Sequence, residues 1–269
     1  MLPWEIVETD RTLDGGDLVL ARRGSEWEVR VGRDTLMSSR AYGSELDLAR
    51  LAFEATPHAR WVLLGGLGLG FSLRSVLDLL PVDGRVELAE ISDALVRWNR
   101  EHAGELARHP LRDPRVRVSV GDVFDRIRRA AAGSLDAILL DVDNGPAALV
   151  QPANHRLYGV DGSSRCFAAL RPGGVLAVWS AAPDETYAEG LRSARFEVSV
   201  RFVRARSGGS RRHVVFVAVK PANATRSRHP AAAPSPAPGG RPGARRRSRR
   251  RSPGPAATRP GSPGRPSRG

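Results

Sequence analysis

The segment Trp61-Val-Leu-Leu-Gly65-Gly66-Leu67-Gly68-Leu69-Gly70, running into Phe71-Ser-Leu-Arg-Ser-Val-Leu-Asp-Leu-Leu80, decides the reading of the fold. A short apolar run, a glycine cluster and then a helical stretch describe a strand that turns tightly into a helix. Glycines let the backbone take conformations closed to other residues and come close to a ligand. The new helix points unpaired N–H groups and the positive end of its dipole at the same place. Taken alone, such a loop also reads as an ordinary turn, so its neighbours must decide.

Outward from this unit the period repeats. Strands are expected at Trp61–Leu64, Arg85–Glu90, Arg115–Val120, Leu135–Asp141 and Val175–Trp179, all but the last leading to a helical stretch. Between the second and third, Ile91, Leu95, Trp98 and Leu106 share a helical face that Ser92 is placed to cap. Strand–helix repeats of this kind require a parallel sheet with right-handed crossovers. Leu135–Leu140 and Val175–Trp179 are nearly continuous in apolar residues, as strands covered on both faces must be. Arg115-Val-Arg-Val-Ser-Val120 alternates with charge and suits an edge. After Phe196, Val198, Val200 and Phe202, the turn Ser207-Gly-Gly-Ser210 leads to the apolar run Val214–Val219, so the last strand returns inside its partner. Upstream, Trp27, Val29 and Val31 alternate in a small hairpin unit, and Ser44–Ala55 reads as a helix stopped by Pro57.

Composition divides the chain. Of 42 basic and 29 acidic residues, the stretch from Pro221 onward holds 12 Arg, no acid and 11 of the 20 prolines, which leaves residues 1–220 near neutral at +1. With only Ala and Pro as apolar side chains, residues 221–269 are expected to be disordered. Arg245-Arg-Arg-Ser-Arg-Arg-Arg251 would attract phosphate polymers weakly and without sequence preference, or is a solvated extension. A single cysteine, Cys166, excludes a disulfide framework within the chain, and the scattered histidines give no metal-binding spacing, so no metal is expected. No membrane-spanning run and no secretory leader are read, and a cytoplasmic protein is expected.

The ligand edge of such a sheet lies beyond the carboxyl ends of its strands. Glu90, preferred over Glu87, ends the second strand where a carboxylate accepts hydrogen bonds from ribose hydroxyls; its other reading is a solvated strand end. Asp122, with Val123 beside it, either contacts an adenine amino group or caps the following helix. The fourth strand delivers Asp141-Val-Asp143-Asn144-Gly-Pro146. Asp141 and Asp143 suit the holding and deprotonation of an amine, although the same residues are also turn chemistry. Glu45 adds a third acid that could neutralise a diamine, and Asn144 is a further candidate for the substrate; Asn154 and Tyr158 lie where they would cover the acceptor, and Tyr158 bounds its pocket unless it only packs. Cys166 and Trp179 read as core, and His213 as structural or surface, away from the ligand edge.

Gly65–Gly70, Ala89-Glu-Ile91, Gly121-Asp122, Asp136-Ala-Ile-Leu-Leu-Asp141 and Arg171-Pro-Gly-Gly-Val-Leu-Ala-Val-Trp179, in this order, resemble the spermidine synthase family of polyamine aminopropyltransferases, within the class I S-adenosylmethionine (SAM)-dependent methyltransferase superfamily. The resemblance covers residues 4–219. It implies a Rossmann-like α/β fold with a mostly parallel seven-stranded sheet, an antiparallel C-terminal hairpin and a small N-terminal β unit. The expected division is residues 1–43 for that unit, 44–220 for the donor-binding domain and 221–269 for the tail. It also implies that Gly66, Gly68 and Gly70 line the donor loop, that Glu90 binds ribose and Asp122 adenine, and that Asp141 acts on the acceptor amine. Homodimers through the N-terminal unit are a further implication. Where the family carries an Asp facing the donor's amine, this chain has Leu67-Gly68-Leu69. Such a loop discriminates less against a donor bearing a carboxylate. The resulting expectation is aminopropyl transfer from decarboxylated SAM to an amine, with SAM-dependent methylation of a small molecule or a non-catalytic nucleotide- or partner-binding role as alternatives.

Overall fold

The computed structural model of the protein describes residues 2–12, 15–142, 146, 155–205 and 212–222. The tail from residue 223, together with Asp143, Asn144, Asn154 and the turn at 207–210, lies outside the described residues.

Four strands, β1 (Glu5–Arg11), β2 (Asp17–Arg23), β3 (Glu26–Val31) and β4 (Asp34–Ser38), pair antiparallel in sequence order. The expected hairpin is therefore a four-stranded meander. Helix α1 (Gly43–Ala55) follows, and then the alternating part: β5 (Trp61–Gly65), α2 (Phe71–Leu79), β6 (Arg85–Glu90), α3 (Asp93–Glu101), β7 (Val116–Val120), α4 (Val123–Arg129) and β8 (Leu135–Leu140). The chain continues through α5 (His155–Tyr158), α6 (Val160–Ala169), β9 (Leu170–Ser180), α7 (Glu185–Ser193), β10 (Glu197–Arg204) and β11 (Arg212–Val219).

The large sheet has the order β10-β11-β9-β8-β5-β6-β7. Its five central and β7-side strands are parallel, and β11 runs antiparallel to both β9 and β10. The charged third strand is at one edge and the returning strand is enclosed by its partner, as the apolar patterns require. Most boundaries differ from expectation by a residue at most, and one by more. Strand β9 begins at Leu170 rather than Val175, with Gly173 at φ +79° and a register shift against β8 between Leu135 and Ala137, and β8 stops one residue before Asp141, which starts the following loop.

Alternation within β5 builds both layers of the core. Val62 and Leu64 join the cluster under α1 and α2, whereas Leu63 joins the opposite one under α4, α6 and α7. A third cluster connects the small sheet to the large one: Leu18, Leu20 and Val29 pack with Leu69, Phe71, Leu95 and Trp98. Leu20 and Trp98 are fully buried there, and truncating side chains of this kind to Ala costs about 2–5 kcal/mol. Arg97 on α3 reinforces the junction by donating to Glu8 at 2.6 Å and Asp10 at 2.8 Å on β1. Ser92 caps α3 by accepting from the Leu95 amide. Among the described residues no helix is long and apolar enough to cross a membrane.

Candidate functional site

The carboxyl ends of β5, β6 and β8 are laced together through their backbones. The Gly66 amide donates to the Ala89 carbonyl at 2.9 Å, and the Asp141 amide donates to the Gly65 carbonyl at 2.9 Å. Gly66 has φ +90°, and a Cβ there would stand 2.1 Å from the Asp141 carbonyl oxygen, so only glycine fits. Gly68 and Gly70 also have positive φ, and Gly70 is the residue from which α2 starts.

Glu90 is 5% exposed, so it is no solvated strand end. One carboxylate oxygen accepts from the Leu67 amide at 2.7 Å and the other from the Ser92 amide at 2.8 Å. The acid thus braces the glycine loop from within. Asn99 braces the loop from behind, donating to the Gly68 carbonyl at 2.9 Å. Sequence reasoning missed this residue, whose contact spans 31 positions. It also missed Met37 of β4, whose sulfur would lie 3.3 Å from a Cβ on Gly68, and Tyr42, whose ring stacks on Phe71 at 4.1 Å.

Asp122 caps α4, accepting from the Phe124 amide at 2.8 Å, and its second oxygen pairs with Arg156 at 3.2 Å. The capping alternative is thus present in the structure, and Val123 packs beneath it against Gly65. Tyr158 is buried edge-on against Tyr187 and donates its hydroxyl to the Val142 carbonyl at 3.1 Å, which steadies the backbone immediately after Asp141. Cys166 is a core residue whose thiol burial pushes up to about 12.

Two of the acids expected on the acceptor side interact: the charge of Asp141 acts on Glu45. Asp141 accepts a hydrogen bond from the Ser72 hydroxyl of α2. Burial pushes its carboxyl above the ordinary range, with Ser72 opposing. Glu45, in the first turn of α1, is pushed up to about 7, first by burial and then by the charge of Asp141, with a hydrogen bond from Ser44 opposing. The charge of one carboxyl makes the other harder to ionise. Such a pair attracts a cation and can take its proton.

His213 corrects the sequence reading. Strand β11 runs antiparallel to β9 with Val214 opposite Ser180, so it begins where β9 ends, at the ligand edge. His213 is buried there against Trp179, with Nδ1 3.0 Å from the Ser44 hydroxyl.

Two cavities of about 220 Å³ lie elsewhere. One is beside the amino ends of β5 and β8, lined by Trp61, Glu87, Arg126 and Arg129; the other is behind α3, lined by Asn99, His109 and Arg112. Neither includes Glu45, Glu90 or Asp141, and the chemistry is assigned to the strand ends. Glu8, Glu101 and His102 also bring ligand atoms within 4.8 Å of one another, but Glu8 is engaged by the Arg97 cation.

No protein-family model matches the chain. Over 131 residues, 48% of the chain, it is 35% identical to polyamine aminopropyltransferase 2 of Streptomyces coelicolor, covering 22% of that protein. Over the same length it is 32% identical to putrescine N-methyltransferase 4 of Nicotiana tabacum, covering 32% of it. The chain thus spans about a fifth to a third of the length of these curated relatives. Among solved structures, spermidine synthase from Thermotoga maritima superposes with a TM-score of 0.66 at 18% identity, over 80% of this chain and 72% of the other. Spermidine synthase in complex with the transition state analogue AdoDATO gives 0.64 at 17%, with the same coverage. The fold is that of spermidine synthase. Over the matched 131 residues the chain is similar to polyamine aminopropyltransferases and putrescine N-methyltransferases, which are transferases.

Proposed function

We propose that this homologue of the polyamine aminopropyltransferases carries an alkyl group from a sulfonium nucleoside, decarboxylated SAM in the first reading, to an amine acceptor. The observation that carries the proposal is the convergence of Gly66, Glu90 and the Ser72-bound Asp141 at the carboxyl ends of β5, β6 and β8, with the charge of Asp141 acting on Glu45.

The residues fit an adenosine-bearing donor. Gly66 lets the loop pack directly on the Asp141 backbone at the end of β8, and Glu90 offers a fixed carboxylate for ribose hydroxyls. Asp122 and Val123 stand at the neighbouring strand end for the base. The donor, when bound, supplies an electrophilic carbon beside the sulfonium. This chain's residues then hold the attacking nitrogen in line and keep it unprotonated, which is most of what a displacement of this kind requires. Asp141, fixed by Ser72, orients the amine; Glu45, ionising near neutrality, is suited to take its proton.

A second reading, N-methylation with SAM as donor, is favoured by one feature of the loop. Leu67 and Leu69 are buried in two different cores, so the loop presents no acid to a donor's amine and nothing that repels a donor carboxylate. Incubation with each donor and a panel of mono- and diamines, read by mass, separates the readings. An aminopropyl increment is expected, a methyl increment would install the second reading, and neither increment with any amine would remove both.

A further inference from the structure

The group facing Glu45 from the last hairpin has no part in that proposal, yet the two are joined through a single hydroxyl. Ser44 donates to Glu45 Oε2 at 2.8 Å. With its hydrogen committed there, the Ser44 oxygen accepts, and the nitrogen 3.0 Å away is His213 Nδ1, which must then carry hydrogen. Both residues are shut away from water, Ser44 at 0% and His213 at 7% exposure. The hairpin is held to the start of α1 at a second point, where the Gly43 amide donates to the Ala205 carbonyl at 2.8 Å. A Cβ on Gly43 would come within 2.8 Å of the Arg204 carbonyl. The approach of hairpin and helix is therefore built in at two neighbouring residues.

We propose that Ser44 and His213 are positioning residues of the acceptor site: a hydrogen-bonded chain from β11 through Ser44 that orients the Glu45 carboxylate and supports its charge against Asp141. Its placement at an acceptor site rests on the amine-transfer reading above; its effect on Glu45 does not. Other groups face this corner among the described residues. Asp141 and Ser72 approach from the end of β8 and from α2, the Trp179 ring comes from β9 and the Ala205 carbonyl follows β10. Arg204 and Arg212 carry exposed side chains, and Asp47 on α1 pairs with Arg50. Among the described residues, His213 is thus the ionisable side chain joined to Glu45 from the hairpin side. A buried carboxylate that loses a neutral hydrogen-bond donor is harder to ionise, so removing the chain raises the pH at which Glu45 loses its proton.

The test uses the full chain with 13C-labelled Glu side chains, the Glu45 carboxyl resonance being assigned with Glu45→Gln. Expected in Ser44→Ala is a rise of about one pH unit in the Glu45 titration midpoint, a tenfold change in proton affinity. Expected in His213→Leu is a smaller rise, and in His213→Asn, whose side-chain amide replaces Nδ1–H, recovery of the wild-type midpoint. Ring 15N shifts of His213 should show Nδ1 protonated while Glu45 is ionised. Unmoved midpoints in both Ser44→Ala and His213→Leu, or a bare Nδ1 over that pH range, would overturn the proposal. Should His213→Leu not fold, Ser44→Ala and the ring shifts decide alone. Calorimetry of the same variants with a diamine separates the two ideas: shifted midpoints without amine binding leave the positioning role and remove the amine reading, whereas unshifted midpoints remove the positioning role whatever binds.

Discussion

Replacing Glu45 by Gln preserves size and an acceptor for Ser44 while deleting one charge from the carboxyl pair. Glu45 ionises near about 7 in the folded protein against an ordinary 4.5, because ionisation means losing water and facing Asp141. At about 1.4 kcal/mol for each tenfold change in proton affinity, ionised Glu45 costs the fold about 3 kcal/mol, a ceiling because the side chain keeps some solvent contact. The sign follows from proton counting. Between these two values the native chain holds more protons than the unfolded one, so stability is intact below about pH 4.5 and declines as pH rises through about 7. The Gln variant lacks that decline. Urea unfolding followed by tryptophan fluorescence should therefore show near-equal stabilities at about pH 4.5. At about pH 8 the variant should gain about 2–3 kcal/mol, a rise of roughly 4–10 °C in Tm for a domain of this size. An advantage that does not grow with pH, or a less stable variant at pH 8, would refute the coupling of Glu45 to Asp141. If the pair serves an acceptor, the stabilised variant should also bind amines worse, the expected trade between stability and a strained site.

Gly66→Ala places a methyl group against the Asp141 carbonyl at a positive φ; a loss of at least about 3 kcal/mol in stability and of measurable binding to either donor is expected, by denaturation and calorimetry. Glu90→Gln turns one of two acceptors into a donor facing a backbone N–H. It should cost about 1–3 kcal/mol and weaken nucleoside binding at least tenfold, whereas unchanged affinity would deny Glu90 its ribose role. Truncation after Lys220 removes 12 Arg, and should abolish salt-sensitive retention on immobilised polyphosphate while leaving Tm and donor affinity unchanged.

The fold was legible because its signals are local. Apolar runs in Leu135–Leu140 and Val214–Val219 tell of cover on both faces, and the charges of β7 tell of an edge. The convergence of Gly66 and Glu90 was legible for the same reason, since both sit at strand ends that periodicity locates. The contacts around Asp141 and Glu45 join residues distant in sequence: Ser72 reaches Asp141 across 69 positions and His213 reaches Ser44 across 169. Residue type alone carries no sign of either contact. The misplacement of His213 had a remediable cause, because a strand returning antiparallel starts at the edge where its parallel neighbours finish. Asp122 was readable two ways, and its capping and its pairing with Arg156 show how one carboxylate satisfies local backbone while standing at a strand end.

Leu69 and Phe71, on either side of the last loop glycine, are anchored in a core whose other half belongs to the small N-terminal sheet, and Met37 of that sheet rests against the loop. The glycine loop, the cradle of the proposed donor site, is therefore a seam stitched from both sides. Loosening the meander, for instance by shaving Leu20 or Val29, would slacken the loop without touching a residue that meets a ligand. Variants of the first forty residues should accordingly show themselves as weakened nucleoside affinity before they unfold the larger sheet.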